Sequence, residues 1–177
     1  MTSAEQPGFS RRVPLARLGA EPFRQDITAT EVERAALARR FELPALDRLC
    51  AAVELVRHGK NMFLLSAAFA AEFVQSCVVT LDPVGGAVSE QFKLLYGPPE
   101  AEEAAGGTVE DEIAFEPIVG NAIDVGEAVA QQFSLALPPF PRSAGATLDA
   151  AASPAEEAGP LAAALSRLVG DAGGEPR

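Results

Sequence analysis

The feature that most constrains the fold is a run of alternating apolar residues that extends, with two interruptions, from residue 49 to residue 96. "LCAAVELVRH" and "NMFLLSAAFAAEFVQSCVVTL" are joined by a short connector that contains Gly59, and "DPVGG" precedes "AVSEQFKLLY". Period-two alternation between glycine-containing turns predicts successive antiparallel strands. Because one parity is apolar and the other is mixed, we expect one packed sheet face. The second run is long for one strand, which predicts a bulge or bend near residues 70–72.

Two helices are predicted, one before and one after these strands. In "TATEVERAALARRF", Thr30 and Glu33 have the spacing of a capping box, with Thr28 and Glu31 as an alternative start. "DVGEAVAQQFSLALP" has an apolar residue at every fourth position and Asp124 as its cap. "FSRRVPLARL", "PFRQDIT" and "IAFEPIV" are expected to be short strands. The fold class is therefore predicted to be α+β, with two principal helices packed on a mainly antiparallel sheet.

The domain organisation follows from changes in composition along the 177 residues. Residues 1–8 are expected to be a flexible N-terminus, and residues 9–145 one α+β domain. Within it, residues 97–112 combine acids with few large apolar residues and are expected to form a mobile acidic loop. Residues 146–177 are rich in Ala, Gly and Pro and are expected to be a flexible tail, with a short helix at 160–169.

Charge is distributed unevenly along the chain. The net charge is −11, yet residues 1–60 carry ten Lys and Arg against eight Asp and Glu. Residues 94–141 carry nine acidic residues and neither Lys, Arg nor His. The negative net charge disfavours a general nucleic-acid binder and suits a basic partner. The first third of the chain, where basic residues outnumber acidic ones, suits an anionic partner. No apolar run is long enough to span a bilayer, and no signal-peptide pattern begins the chain, so a cytoplasmic location is expected.

Residues that carry enzymatic or metal chemistry are sparse. His58 is the single histidine, and it lies in a predicted turn. Cys50 and Cys77 are too few for a zinc site and are expected to be free thiols, and no phosphate-binding glycine motif is present. Cys77 shares the core parity with Val79 and Leu81, so it is expected to be a packing residue in a strand. We therefore expect no cofactor, no metal and no small-molecule substrate.

Three stretches in order resemble the YceD-like family, the large ribosomal RNA subunit accumulation proteins, in its alphaproteobacterial style. They are "TATEVERAALARRFEL", "CVVTLDPV" and "IDVGEAVAQQFSLALPPFPR". The resemblance spans most of residues 9–145 and implies a role in 23S ribosomal RNA accumulation and large-subunit assembly, with no established catalysis. Many family members carry C-x-x-C where this chain has Cys77 and Thr80, so a metal site conceivable in those members is not expected here.

The working hypothesis is a non-enzymatic factor that binds ribosomal RNA, a basic large-subunit protein or both. The alternative is a thiol- or metal-dependent enzyme centred on Cys77. The candidate RNA contacts are the arginines of the first third, Arg11, Arg12, Arg34, Arg39 and Arg40. The candidate contacts for a basic protein are Glu100, Glu102, Glu103, Glu110, Asp111, Glu112, Asp124 and Glu127.

Overall fold

The structure, a computed structural model, describes residues 8–59, 61–101 and 113–147. Its strands are β1 Arg12–Pro14, β2 Phe23–Thr28, β3 Ala45–Arg57, β4 Phe63–Ser76, β5 Pro83–Gly97, β6 Ala114–Pro117 and β7 Ala122–Asp124. Its helices are α1 Glu31–Arg40 and α2 Val125–Ala136, with short 3-10 turns at Leu15–Arg17 and Pro99–Ala101. The predicted α+β class is confirmed.

The main sheet has the strand order β2-β3-β4-β5-β6, and β1 pairs with β7 in a separate two-stranded sheet. Every neighbouring pair in the main sheet is antiparallel except β5 and β6, which run parallel. β3, β4 and β5 are the strands predicted from the alternating runs. Their register sets Leu55 beside Leu65 and Leu65 beside Leu94, so that these buried side chains share one face.

The core lies between that face and the two helices. α1 packs on β3, and α2 packs mainly on β4. The ring of Phe133 on α2 makes edge-to-face contacts with Phe41 and Phe73, at centroid distances of 5.9 and 5.6 Å. Such contacts add to the stabilisation from burying the rings themselves. The side of the sheet away from the core carries mostly small and polar residues, but half-buried Val56, Leu64 and Leu95 lie side by side at one end of it.

Two local predictions were wrong. The bulge expected near residues 70–72 lies instead in β3, where Asp47 is the extra residue opposite the regular strand β4. It allows both Leu46 and Leu49, which have opposite parity, to be buried. The second error concerns the end of β4: the strand ends at Ser76, residues 78–80 form a turn, and Leu81 is 78% exposed rather than in the core.

Helix capping follows the sequence closely. Thr30 Oγ1 accepts a hydrogen bond from the Glu33 backbone N–H, and the Glu33 carboxylate accepts one from the Thr30 backbone N–H, which completes the capping box. The alternative start at Thr28 is therefore wrong, because Thr28 ends β2. Asp124 caps α2 through the backbone N–H groups of Gly126 and Glu127. These caps satisfy donors that a helix N-terminus otherwise leaves unpaired.

Other predictions concern residues outside the described ranges. They include most of the acidic loop, 102–112, and the helix at 160–169. The first residues of the predicted loop are described: Gly97 ends β5, and Pro99–Ala101 form a 3-10 turn. No helix among the described residues is long and apolar enough to cross a bilayer.

Candidate functional site

Arg11, a candidate RNA contact, is engaged by the fold. Its guanidinium group donates to both carboxylate oxygens of Glu33, at 2.6 and 3.0 Å, and to the backbone oxygens of Ser10 and Thr28. The pair joins the N-terminal segment to the start of α1. The hydrogen bond from Arg11 is the main cause that lowers the pKa of Glu33 to about 2. Arg11 therefore holds two segments together.

Arg40 bonds with a residue of the opposite candidate set. Its guanidinium group donates to both carboxylate oxygens of Glu127, at 2.9 and 2.7 Å, and this links the end of α1 to the start of α2. Asp124 accepts hydrogen bonds from the Ser10 hydroxyl and the Arg11 backbone N–H in addition to capping α2. The structure thus brings candidate cations and candidate anions together inside the domain.

The remaining candidate arginines face solvent. Arg12 and Arg39 are exposed, and neither side chain makes a hydrogen bond or ion pair with the described residues. Arg34 is half-buried and donates to the Ala29 carbonyl. Arg34 and Arg39 line one groove of about 420 Å³ between α1 and the start of β3, which Glu31 and Asp47 also line. These arginines have charge available for an anionic partner.

Most of the candidate acids lie outside the described residues. Glu100 is exposed in the 3-10 turn after β5. Glu102, Glu103, Glu110, Asp111 and Glu112 belong to the range 102–112, which the structure does not describe. Asp124 and Glu127 are engaged by the fold. Among the described residues of the set, Glu100 is therefore the one with an exposed carboxylate.

The open face of the main sheet carries a groove that the sequence reasoning did not single out. It has a volume of about 720 Å³ and a floor of Ala52, Ser66 and Ala68. Two basic and two acidic residues also line it, Arg24, Asp26, Glu54 and Lys93, and Arg24 pairs with Glu54 at 2.6 Å. The sequence does carry a signal for this groove, because small residues occupy the solvent-facing positions of adjacent strands. No third helix was predicted that could cover them.

Cys77 joins two loops. Its sulfur accepts hydrogen bonds from the backbone N–H groups of Val79, Thr80 and Ser143 at 3.3–3.4 Å, and from the Ser143 hydroxyl at 3.5 Å. The Thr80 side chain, followed by the Ser143 backbone N–H, lowers the pKa of the Cys77 thiol to about 6. Cys77 exposes none of its surface. No group of three or more metal-ligating side chains occurs in the described ranges.

The comparison with protein families identifies the chain. The model of the family described as large ribosomal RNA subunit accumulation protein YceD matches residues 65–163, which is more than half of the chain. The chain belongs to the YceD family. Membership confirms the family expected from the sequence and connects the chain with the accumulation of large-subunit ribosomal RNA. Neither the curated proteins nor the solved structures gave a match.

The family match covers one of the two sets of candidate residues and not the other. Residues 65–163 include β4, β5, α2 and every candidate acid, together with Cys77. The candidate arginines and α1 lie before residue 65, so the match is shorter at its N-terminal side than the resemblance over 9–145. The YceD match therefore covers the acidic part of the chain and not the basic part.

Proposed function

We propose that this YceD-family protein is a non-enzymatic cytoplasmic factor that supports 23S ribosomal RNA accumulation and large-subunit assembly. In this proposal it acts by binding a basic large-subunit protein, with ribosomal RNA as a second, weaker contact. It uses no cofactor and no small-molecule substrate. The family match supports the pathway, and the charges described above support the mode of action.

The observation that carries the proposal is the way in which the fold uses its arginines. Arg11 and Arg40 are neutralised by Glu33 and Glu127, so two of the five candidate RNA contacts are part of the fold. The whole chain retains a net charge of −11, and residues 94–141 have no basic side chain to compensate their acids. Such a charge balance attracts a polycationic protein and repels phosphate groups.

The RNA contact is limited to Arg12, Arg34 and Arg39. A guanidinium group can hold phosphate oxygens with two parallel hydrogen bonds. Three such contacts on duplex RNA correspond to a slope of about −2 to −3 in a plot of log affinity against log salt concentration. This is a weak, salt-sensitive interaction, which suits a factor that brings a protein to RNA and then leaves.

The test is an affinity capture of the tagged protein from growing cells, divided in two, with ribonuclease added to one half. We expect large-subunit proteins to remain bound after ribonuclease treatment. Loss of every ribosomal component with the RNA would contradict the protein contact and assign function to the arginines. Capture of no ribosomal component in either half would contradict both modes.

Arg39 and Arg40 provide matched variants because they are neighbours in the last turn of α1. Arg39→Glu is expected to reduce RNA capture without a change in melting temperature, since the Arg39 side chain has no partner among the described residues. Arg40→Glu is expected to lower the melting temperature, because it places two carboxylates where an ion pair joined the helices. Equal effects of the two reversals on RNA capture would contradict the assignment.

The acidic contact has its own variant, in which Glu100, Glu102, Glu103, Glu110, Asp111 and Glu112 are replaced by their amides. We expect this variant to lose the ribonuclease-resistant proteins and to retain RNA. If this variant and an Arg12, Arg34 and Arg39 triple reversal both leave 23S levels unchanged, the proposed function is wrong.

A thiol-dependent activity at Cys77 is the alternative, and the lowered pKa of its thiol favours it. The absence of exposed surface opposes it, because a nucleophile must reach its substrate. Titration with a thiol reagent separates the two cases. We expect half-buried Cys50 to react in the folded protein and Cys77 to react only upon unfolding. Rapid modification of Cys77 in the folded protein would favour the alternative.

A further inference from the structure

The outer edge of β5 is unpaired over most of its length. β6 pairs with residues 94–97 of β5, and no strand in the described ranges pairs with residues 83–93 on that side. We call residues 83–93 the free edge. Its exposed residues include Gly85, Ala87, Ser89, Gln91 and Lys93. A free edge of this length is a template for pairing with another extended chain.

The direction of the backbone groups along the free edge follows from the β6 pairing. On the β6 side of β5, the Ile118 N–H donates to the Gly97 carbonyl oxygen at 2.8 Å. Every second residue of a strand directs its N–H and C=O groups to the same side, and the β4–β5 register shows no shift along the free edge. The residues whose N–H and C=O groups face outward are therefore Gly85, Ala87, Ser89, Gln91 and Lys93.

The free edge has few of the features that prevent sheet edges from associating. Pro83 and Lys93 lie at its two ends, Glu90 is the charged side chain between them, and the register with β4 shows no bulge. Its core-facing side carries three half-buried apolar side chains, those of Val84, Val88 and Phe92. A strand placed beside it would therefore bury apolar surface in addition to pairing backbone groups.

The same edge of a second copy is the occupant that matches this surface best. Val88 is the midpoint of the free edge, so an antiparallel two-fold pairing centred on Val88 matches the whole free edge with itself. In that register the outward-facing residues of one copy meet those of the other, for example Ala87 beside Ser89 of the second copy. Each such pair exchanges two backbone hydrogen bonds, which gives about eight across the interface.

The side chains are compatible with the same register. Val88 meets Val88 of the second copy across the two-fold axis, and Phe92 lies beside Val84, so that apolar side chains are paired. The charged side chains, Glu90 and Lys93, lie beside a glycine and a proline of the second copy. Like charges are therefore not placed opposite each other.

The net charge opposes this pairing less than the total for the chain suggests. The described residues carry eleven Lys and Arg against fourteen Asp and Glu, a net charge of −3 compared with −11 for the whole chain. The free edge itself carries one acid and one base. Repulsion between acids that lie more than about 10 Å apart is largely screened at physiological salt.

We propose that the free edge of β5 is a self-association surface, at which two copies of this chain pair in antiparallel fashion about Val88. The two main sheets become one continuous sheet, with the helices of both copies on the same face. The interface is isologous, because each copy contributes the same patch. This inference goes beyond the proposed function, since it requires no ribosomal component.

The first test is sedimentation velocity of the full chain over a wide range of concentration. We expect wild type to form a dimer, and Val88→Lys, which places two ammonium groups opposite each other, to raise the dissociation constant at least about tenfold. The matched control Val119→Lys adds the same charge at a position that is 83% exposed in the loop after β6, and it should leave the constant unchanged. Monomeric wild type at every concentration, or equal effects of the two substitutions, would overturn the proposal.

The second test does not rely on a disruptive substitution. Residues paired without hydrogen bonds in antiparallel strands have Cα atoms about 4.5 Å apart, which a disulfide can bridge. Val88→Cys in a Cys50→Ser background is therefore expected to give a disulfide-linked dimer, as glutathione disulfide oxidises the two new thiols and is reduced to two glutathione molecules. The control Glu90→Cys is not expected to do so, because its counterpart in the second copy lies about 13 Å further along the edge.

The outcomes also separate other occupants of the free edge. A linked dimer through Glu90→Cys rather than Val88→Cys would overturn the pairing centred on Val88 in favour of another register. Hydrogen exchange of the wild-type dimer should show slow exchange at the Ser89 and Gln91 amides, and Val88→Lys should make both exchange faster. Slow exchange at these amides in a monomer would overturn the proposal and assign the free edge to a segment of the same chain.

Discussion

Replacement of Glu33 by glutamine tests whether the Arg11–Glu33 pair belongs to the fold rather than to an RNA contact. A pKa lowered from 4.5 to about 2 sets an upper limit of roughly 3 kcal/mol on the contribution of the ionised carboxylate at neutral pH. The side chains of Arg11 and Glu33 are 26% and 22% exposed, so solvent screens part of the interaction. We expect Glu33→Gln to lower the free energy of unfolding by about 1–2 kcal/mol.

Urea unfolding of wild type, Glu33→Gln and the control Glu31→Gln measures the effect. Glu31 lies in the same first turn of α1 and is exposed, and its side chain makes no hydrogen bond or ion pair with the described residues. The Glu33 variant is expected to shift the midpoint by about 0.5–1 M urea and the control by far less. Because the folded pKa is depressed, the stabilisation is present above the unfolded pKa and is lost as pH falls towards 2. Equal midpoints for both variants, or an unchanged acid limb, would refute the reasoning.

Three further outcomes are expected from the same chain. Cys77→Ser should flatten the rise of melting temperature with pH between about 6 and 9. A thiol with its pKa lowered to about 6 stabilises the fold above the unfolded pKa and loses that effect as pH falls, so an unchanged pH profile would show that the thiol does not ionise in the folded protein. Phe133→Ala should lower the free energy of unfolding in urea by about 3–5 kcal/mol. Leu135→Ala, at an exposed position, should lower it by about 0.5 kcal/mol or less. Similar losses for the two variants would place Phe133 outside the core. Gly126→Ala should lower the melting temperature, because a Cβ would lie 2.7 Å from the Phe9 carbonyl oxygen, and an unchanged value would show that the N-terminal segment can shift.

Local chemistry made much of the fold predictable. The alternating runs determine β3, β4 and β5, and the caps Thr30 and Asp124 determine where the helices begin. Each of these signals lies within a few residues of the structure that it specifies. The parallel pairing of β6 with β5 was not predicted, because strand direction depends on how the intervening residues return to the sheet.

The candidate site was less predictable because its contacts join distant residues. Arg11 meets Glu33 across 22 positions, and Arg40 meets Glu127 across 87. A list of charges from the sequence cannot show which of them neutralise each other. The end of β4 was unpredictable for the same reason. The apolar alternation in the sequence continues through Cys77 to Leu81, yet the strand ends at Ser76. Just beyond this end, the Cys77 sulfur accepts a hydrogen bond from Ser143, which is distant in sequence.

The most direct test of the account is the ratio of 23S to 16S ribosomal RNA in cells that lack the gene. These cells are complemented with wild type, with Arg39→Glu or with the variant in which the six acids of residues 100–112 are replaced by their amides, each confirmed to be folded and equally abundant. The account predicts that wild type restores the ratio, that the amide variant fails to restore it, and that Arg39→Glu has the smaller defect. Full restoration by the amide variant together with failure of Arg39→Glu would contradict the account and assign function to RNA contact through α1.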